Sequence, residues 1–148
     1  MKFYLIAASI FGLDEFVKRR AERRSADADR TAFHGKIILR NHHNKGICLN
    51  LFDRKQAFVT VVSALLTSAI GVRIFLLRKY EAQEVYKFGL SLALGGALSN
   101  TWDRIHRKYV VDYFSFNSKC SKFRDIVFNL SDLFLFAGAF LAVIGRKD

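Results

Sequence analysis

Apolar residues in this chain gather into four blocks, and charged residues gather between them. The blocks run from Phe3 to Leu13, Ala57 to Leu77, Val85 to Leu98 and Ile126 to Gly145. In lipid every backbone polar group must be satisfied internally, so an apolar block of this kind folds as a helix. About 20 apolar residues are needed to cross the bilayer. The second block meets that length, and its one internal charge, Arg73, lies near an end where a long side chain reaches the interface. The first block extends as a helix through Phe16 and Val17 to Lys18. It reads as an uncleaved helix rather than a signal peptide, because it has no small-residue cleavage site and Asp14 and Glu15 occupy the cleavage region. The pattern predicts packed membrane helices joined by polar segments, in one unit over residues 1–148.

The net charge of +11 raises nucleic acid as a partner. That partner requires a basic face on a soluble fold, whereas these basic residues flank apolar blocks and suit anionic lipid headgroups. Cys48 and Cys120 form no metal-ligand spacing and read as two unlinked thiols. His42 and His43 are neighbours that point apart, and read as loop residues. Arg19 to Arg30 reads as a polar helix or an arm. Lys36–Arg40 and Ile47–Leu49 are short β-like runs around an Asn/His/Gly turn, which predicts a small sheet. The segment from Asn100 to Asp125 is mixed polar and aromatic.

The sharpest signals are ionisable groups inside apolar sequence. Asn129 and Asp132 lie three apart in the fourth block, so on a helix they share a face. A carboxylate within a membrane helix costs roughly 2.5–3.5 kcal/mol on insertion scales and usually faces a cavity or the bundle interior. The plainer account of Asp132 is a helix cap at the bilayer edge. Asp112 sits among Val110, Val111, Tyr113 and Phe114. Two desolvated carboxyls brought together share a proton, so one can act as base and the other as acid. Asn100 pairs with Arg104, and Asp103 with Arg107, one helical turn apart. They read either as a surface cap or as headgroup-binding groups. Asp14 and Lys18 read as an ordinary helix-surface pair, and Gly95 with Gly96 as a close helix contact.

Together these residues resemble the signal peptidase II family. Asp14 and Lys18 match its Asp-x-x-x-Lys, and Asn44-Lys45-Gly46 its Asn-x-Gly. The run from Gly95 through Asn100 to Asp103 and Arg104 matches Gly-Gly-Ala-x-x-Asn-x-x-Asp-Arg. Val110 to Tyr113 matches Val-Val-Asp-Phe, and Phe128 to Asp132 matches Phe-Asn-x-Ala-Asp. The motifs keep the family's order across nearly the whole chain.

The resemblance implies four transmembrane helices with a small extracytoplasmic β-cradle and a short peripheral helix. It implies an aspartic endopeptidase of the bacterial cytoplasmic membrane, with no metal or cofactor, acting as a monomer. Its substrates would be prolipoproteins, cut before a diacylglyceryl-modified Cys. Asp112 and Asp132 fall on the catalytic pair. Asn44, Gly46, Asn100, Arg104 and Asn129 fall on substrate-binding positions, and Asp14, Lys18 and Asp103 on supporting ones. Three positions depart from the pattern: Ile47-Cys48-Leu49 replace Ala-Ala-Phe, Lys108 stands where Gly is expected, and Ser131 replaces Ala. The first two leave substrate choice open. The alternative is a non-proteolytic relative that binds lipidated membrane proteins, and a small proton-coupled transporter using Asp132 is a third reading.

Overall fold

The computed structural model describes residues 1–23, 29–46, 52–80 and 83–146. Four long helices dominate it: α1 (Lys2–Glu22), α2 (Gln56–Leu76), α3 (Glu84–His106) and α5 (Leu130–Gly145). Strands β1 (Arg30–Ala32) and β2 (Ile37–Asn44) follow α1, β3 (Val110–Phe116) follows α3, and the short helix α4 (Ser121–Arg124) precedes α5. The strands form one antiparallel sheet in the order β1-β2-β3.

Helix α3 is the hub, packed on α5, α1 and α2. Glycine sets how near its neighbours come. A Cβ on Gly89 would lie 2.5 Å from the Ala142 nitrogen, and one on Gly138 2.5 Å from the Ala93 nitrogen. Side chains at either position would therefore push α3 and α5 apart. Gly95 makes the same close approach to Ile10 of α1, and Gly96 to the Ser131 carbonyl of α5, as the Gly-Gly pair suggests.

The helix α2 with its flanking turns, Asp53–Lys79, is long and apolar enough to cross a membrane. Its buried residues are only Val59, Thr67 and Ile74, while Phe58, Leu65, Leu66 and Phe75 are exposed. Helix α5 is also apolar but shorter, at 16 residues. Helices α1 and α3 are as long, but α1 carries the buried charges Asp14, Glu15 and Lys18, and α3 carries Asp103, so their interior faces are not purely apolar.

Four sequence boundaries move. Helix α1 continues to Glu22 and α3 to His106, because buried polar partners hold the charged turns in place. The fourth block does not begin as helix. Ile126 and Val127 lie outside any helix, and Phe128 bridges Phe114 of β3 by backbone hydrogen bonds. His42 and His43 belong to strand β2 rather than a turn, with His43 stacked on Tyr109. The turn lies earlier, at Phe33, His34 and Gly35, all with positive φ. Ile47-Cys48-Leu49 lie outside the described residues, and with them the question of Cys48. The Cys120 thiol is exposed and free.

The close α3–α5 seam gives a direct test. Gly138→Val should cost about 1–3 kcal/mol by overpacking, and so lower the melting temperature of the purified protein in detergent by at least about 3 °C. An unchanged melting curve would contradict the seam.

Candidate active site

The site is built where the last turns of α1 and α3, the first turn of α5 and strands β2 and β3 converge. Asp112 lies on β3 and is buried, at 2% exposure. Its Oδ1 accepts a hydrogen bond from Asn129 Nδ2 at 2.7 Å, and its Oδ2 accepts one from Asn44 Nδ2 at 3.1 Å. Asp132 lies in the first turn of α5. Its Oδ1 accepts from Asn100 Nδ2 at 3.0 Å, and its Oδ2 from the Asn129 backbone nitrogen at 3.1 Å.

Asn129 is therefore the bridge between the two acids. It is not inside the helix with Asp132 but at its N-cap, with extended backbone. Its Oδ1 accepts from the Asp132 nitrogen at 2.9 Å, which completes a reciprocal capping box. Asp132 is thus a helix cap through Oδ2, and its Oδ1 is left to Asn100 and the cleft.

Behind the acids lies a buried charge network. Lys18 and Asp14 are fully buried rather than a surface pair, with Lys18 Nζ 2.9 Å from Asp14 Oδ2. The same ammonium lies 2.9 Å from Asp103 Oδ2, and donates to Ser99 Oγ at 2.9 Å and Asn100 Oδ1 at 3.0 Å. Asn100 thus links Lys18 to Asp132. Asp14 also accepts from Ser99, Ser131 and Tyr113, so the Ser131 departure adds a hydrogen bond. Asp103 pairs with Arg107, which reaches Glu15 at 3.1 Å as well. The Asp103–Arg107 pair is accordingly part of the interior, not a surface cap.

Arg104 holds the loop after β2. Its guanidinium donates to the Gly46 carbonyl and the Asn100 carbonyl, each at 3.1 Å, and Gly46 N donates to Asn44 Oδ1 at 3.1 Å. All ten residues singled out in the sequence come together here. Ser99, Tyr113 and Glu15 carry no site reading in the sequence, Ser131 figures only as a departure from the family pattern, and Arg107 only as the helix partner of Asp103. The signal available was stoichiometric, since buried carboxylates need more partners than one lysine provides.

Both acids open onto a cleft of about 700 Å³ between α2, α3 and α5. Asn44, Asn100 and Arg104 line its polar end, and Leu66, Ile70, Leu135 and Phe136 its apolar length. Burial, and then the neighbouring Asp132 carboxylate, push Asp112 up to about 7. Such a carboxyl can hold or release a proton near neutrality. Burial, followed by the Asp14 charge, raises Tyr113, which therefore stays a phenol donor.

A profile of the family described as signal peptidase (SPase) II matches residues 6–146. The chain belongs to the signal peptidase II family. It is 33% identical over 141 residues to the lipoprotein signal peptidase of Caldicellulosiruptor bescii, covering 95% of this chain and 87% of that one. It is 30% identical over 143 residues to the lipoprotein signal peptidase of Caldanaerobacter subterraneus subsp. tengcongensis, covering 93% and 90%. Two solved structures described as bacterial membrane enzymes share the fold. One has a TM-score of 0.79 at 24% identity, covering 97% of this chain and 85% of the other. The second has a TM-score of 0.80 at 23% identity, covering 97% and 90%. As a signal peptidase II, the chain is a protease that removes signal peptides from prolipoproteins.

The network behind the acids makes a sharp prediction about Lys18. Lys18→Met leaves Asp14 and Asp103 facing each other without their cation, a loss that costs about 3–5 kcal/mol in buried pairs. The yield of folded protein and its melting temperature in detergent should both fall. A Lys18→Met protein with a normal melting curve would overturn this assignment.

Proposed function

We propose that Asp112 and Asp132 are the catalytic dyad of this signal peptidase II, and the observation that carries the reading is Asn129. One side chain hydrogen-bonds Asp112 and caps the turn that presents Asp132, so the two carboxyls are held on one cleft. One acid takes a proton from water while the water oxygen bonds to the scissile carbonyl carbon. The other acid supplies a proton to the departing amine as the C–N bond breaks. The new carboxyl ends the signal peptide, and the amine becomes the N-terminus of the lipid-modified Cys. Asn44, Gly46, Asn100, Arg104 and Asn129 surround the bound chain. Asp14, Lys18 and Asp103 keep them in place.

The apolar length of the cleft supports a membrane-embedded substrate. We read α1, α2, α3 and α5 as four spans of a single monomeric domain in the bacterial cytoplasmic membrane. The sheet and α4 then lie at the extracytoplasmic face. Two rules disagree about that orientation. The segments 18–55 and 100–125 carry eleven and six Lys or Arg, against seven elsewhere, so the positive-inside rule favours the reverse. The dyad lies at the sheet end, where a diacylglyceryl Cys is delivered in the outer leaflet, and that requirement decides. Ile47-Cys48-Leu49, the only support for a non-proteolytic relative, lie outside the described residues.

Cleavage of a lipidated precursor by purified variants tests the dyad. Asp112→Asn and Asp132→Asn should each abolish turnover, and the double change should add little, because the pair acts as a unit. Wild-type rate should fall as pH rises through about 7, where Asp112 loses its proton. The same raised pKa means the folded state holds a proton the unfolded chain has released above its ordinary value. Stability should therefore decline as pH climbs from about 4 towards 7, and Asp112→Asn should flatten that decline. Substantial turnover by a well-folded Asp132→Asn protein would sink the mechanism. For orientation, single cysteines introduced at 119 and 80 into a cysteine-free chain should label and stay protected, respectively, from outside intact cells. The reverse pattern would invert the proposed topology.

A further inference from the structure

A second hollow, of about 750 Å³, opens on the other side of Arg104, where α2 begins. Lys45, Arg54, Arg104 and Lys108 line it, with Asp53 the one carboxylate among the described residues, and Ala57, Thr60 and Val61 lie beside them. Positive charge is concentrated here in a concave place. Arg104 lends two N–H groups to carbonyls, but its buried Nε has no acceptor among the described residues.

Lys108 is notable for its backbone. Its φ of 67° is left-handed, a conformation that disfavours a Cβ and suits glycine. This explains why glycine fits the position, and Lys108 puts a cation there against that preference. Its ammonium donates to the Ile105 carbonyl at 2.8 Å, which holds it at the end of α3 beside the hollow.

Helix α2 leads away from the hollow with Phe58, Val61 and Leu65 exposed at 60%, 56% and 65%. A cationic head followed by an apolar rail is complementary to a phospholipid. We propose that this hollow binds the phosphate of an anionic membrane phospholipid, whose acyl chains lie along α2. Free phosphate has no use for the rail, and neither does an acidic peptide. The lipid would seat next to Arg104, which also lines the dyad cleft, and so would anchor the enzyme at the depth its substrate occupies. The proposal rests on the membrane placement above but not on the dyad, and is read without cleavage.

The experiment uses the full chain in detergent, with phosphatidylglycerol and phosphatidylcholine of identical acyl chains as probes and native mass spectrometry as readout. Wild type should retain phosphatidylglycerol in preference. The Arg54→Gln/Lys108→Gly protein should bind it about thirtyfold less tightly, the loss expected for two cations near a lipid phosphate, with phosphatidylcholine unchanged. Both positions are exposed and Lys108→Gly relieves the backbone, so the variant should keep its melting curve; each single change provides a second reading. Equal binding of the two lipids, undiminished phosphatidylglycerol binding by the variant, or displacement of the lipid by millimolar inorganic phosphate would each overturn the proposal. So would a variant that binds lipid normally but loses affinity only for precursors with an acidic residue after the Cys. Wild type that inserts into vesicles without headgroup preference refutes this site alone, whereas failure to insert refutes the membrane reading.

Discussion

A fully buried ammonium cannot remain charged without partners, and Lys18 is buried to 0% exposure. Desolvating it costs several kcal/mol, which only close opposite charges and further hydrogen bonds offset. Its partners are Asp14 from its own helix and Asp103, Ser99 and Asn100 from α3. Satisfying one cation thus fixes the rotation of α1 against α3. Asp14 then reaches Ser131 of α5 and Tyr113 of β3, and Asp103 accepts from the Val111 nitrogen of the same strand. Every element that bears a candidate catalytic group is tied to this one charge.

The network could not close without the glycine seam. Asp132 on α5 meets Asn100 on α3 only because Gly96 lets the Ser131 carbonyl approach where a side chain would stand. Farther along, Gly89 and Gly138 continue the contact through apolar residues. The two ends of the molecule therefore depend on different physics. Small residues set the helix separation along the apolar length, and hydrogen-bond stoichiometry sets the geometry at the polar end.

Much of this was legible in the sequence, and the failures have definite causes. Block two gave α2 almost to the residue, because no tertiary charge interferes with it. Strand β3 was missed because its residues from Val110 to Ser115 are all buried, so it lacks the alternation that marks a half-exposed strand. Asn44 looked like part of a turn, yet it ends a strand and aims its amide at Asp112. The start of α5 was misplaced because hydropathy ignores caps, although Asn129-x-x-Asp132 is a capping-box spacing. Asp14 and Lys18 illustrate a deeper limit. An i, i+4 pair has the same spacing on a surface and in a core, and only the acids and serines gathered from α3 and α5 decide between them.

The polar end also keeps full positive charge from direct contact with either carboxyl, although several cations lie nearby. Among the described residues, the donors to Asp112 and Asp132 are all amides: Asn44, Asn129 and Asn100 side chains and one backbone N–H. None brings a full charge. Lys18 stops one residue short, on the oxygen of Asn100 whose nitrogen serves Asp132. Arg104 spends its terminal nitrogens on two backbone carbonyls instead of the acids. A direct ion pair to either acid would favour the doubly ionised state and leave no proton to donate. Neutral amides orient the same oxygens at far smaller electrostatic cost to protonation, so Asp112 can remain near 7. Asn100 thus transmits the position of the buried lysine to Asp132 without a direct ion pair between the two.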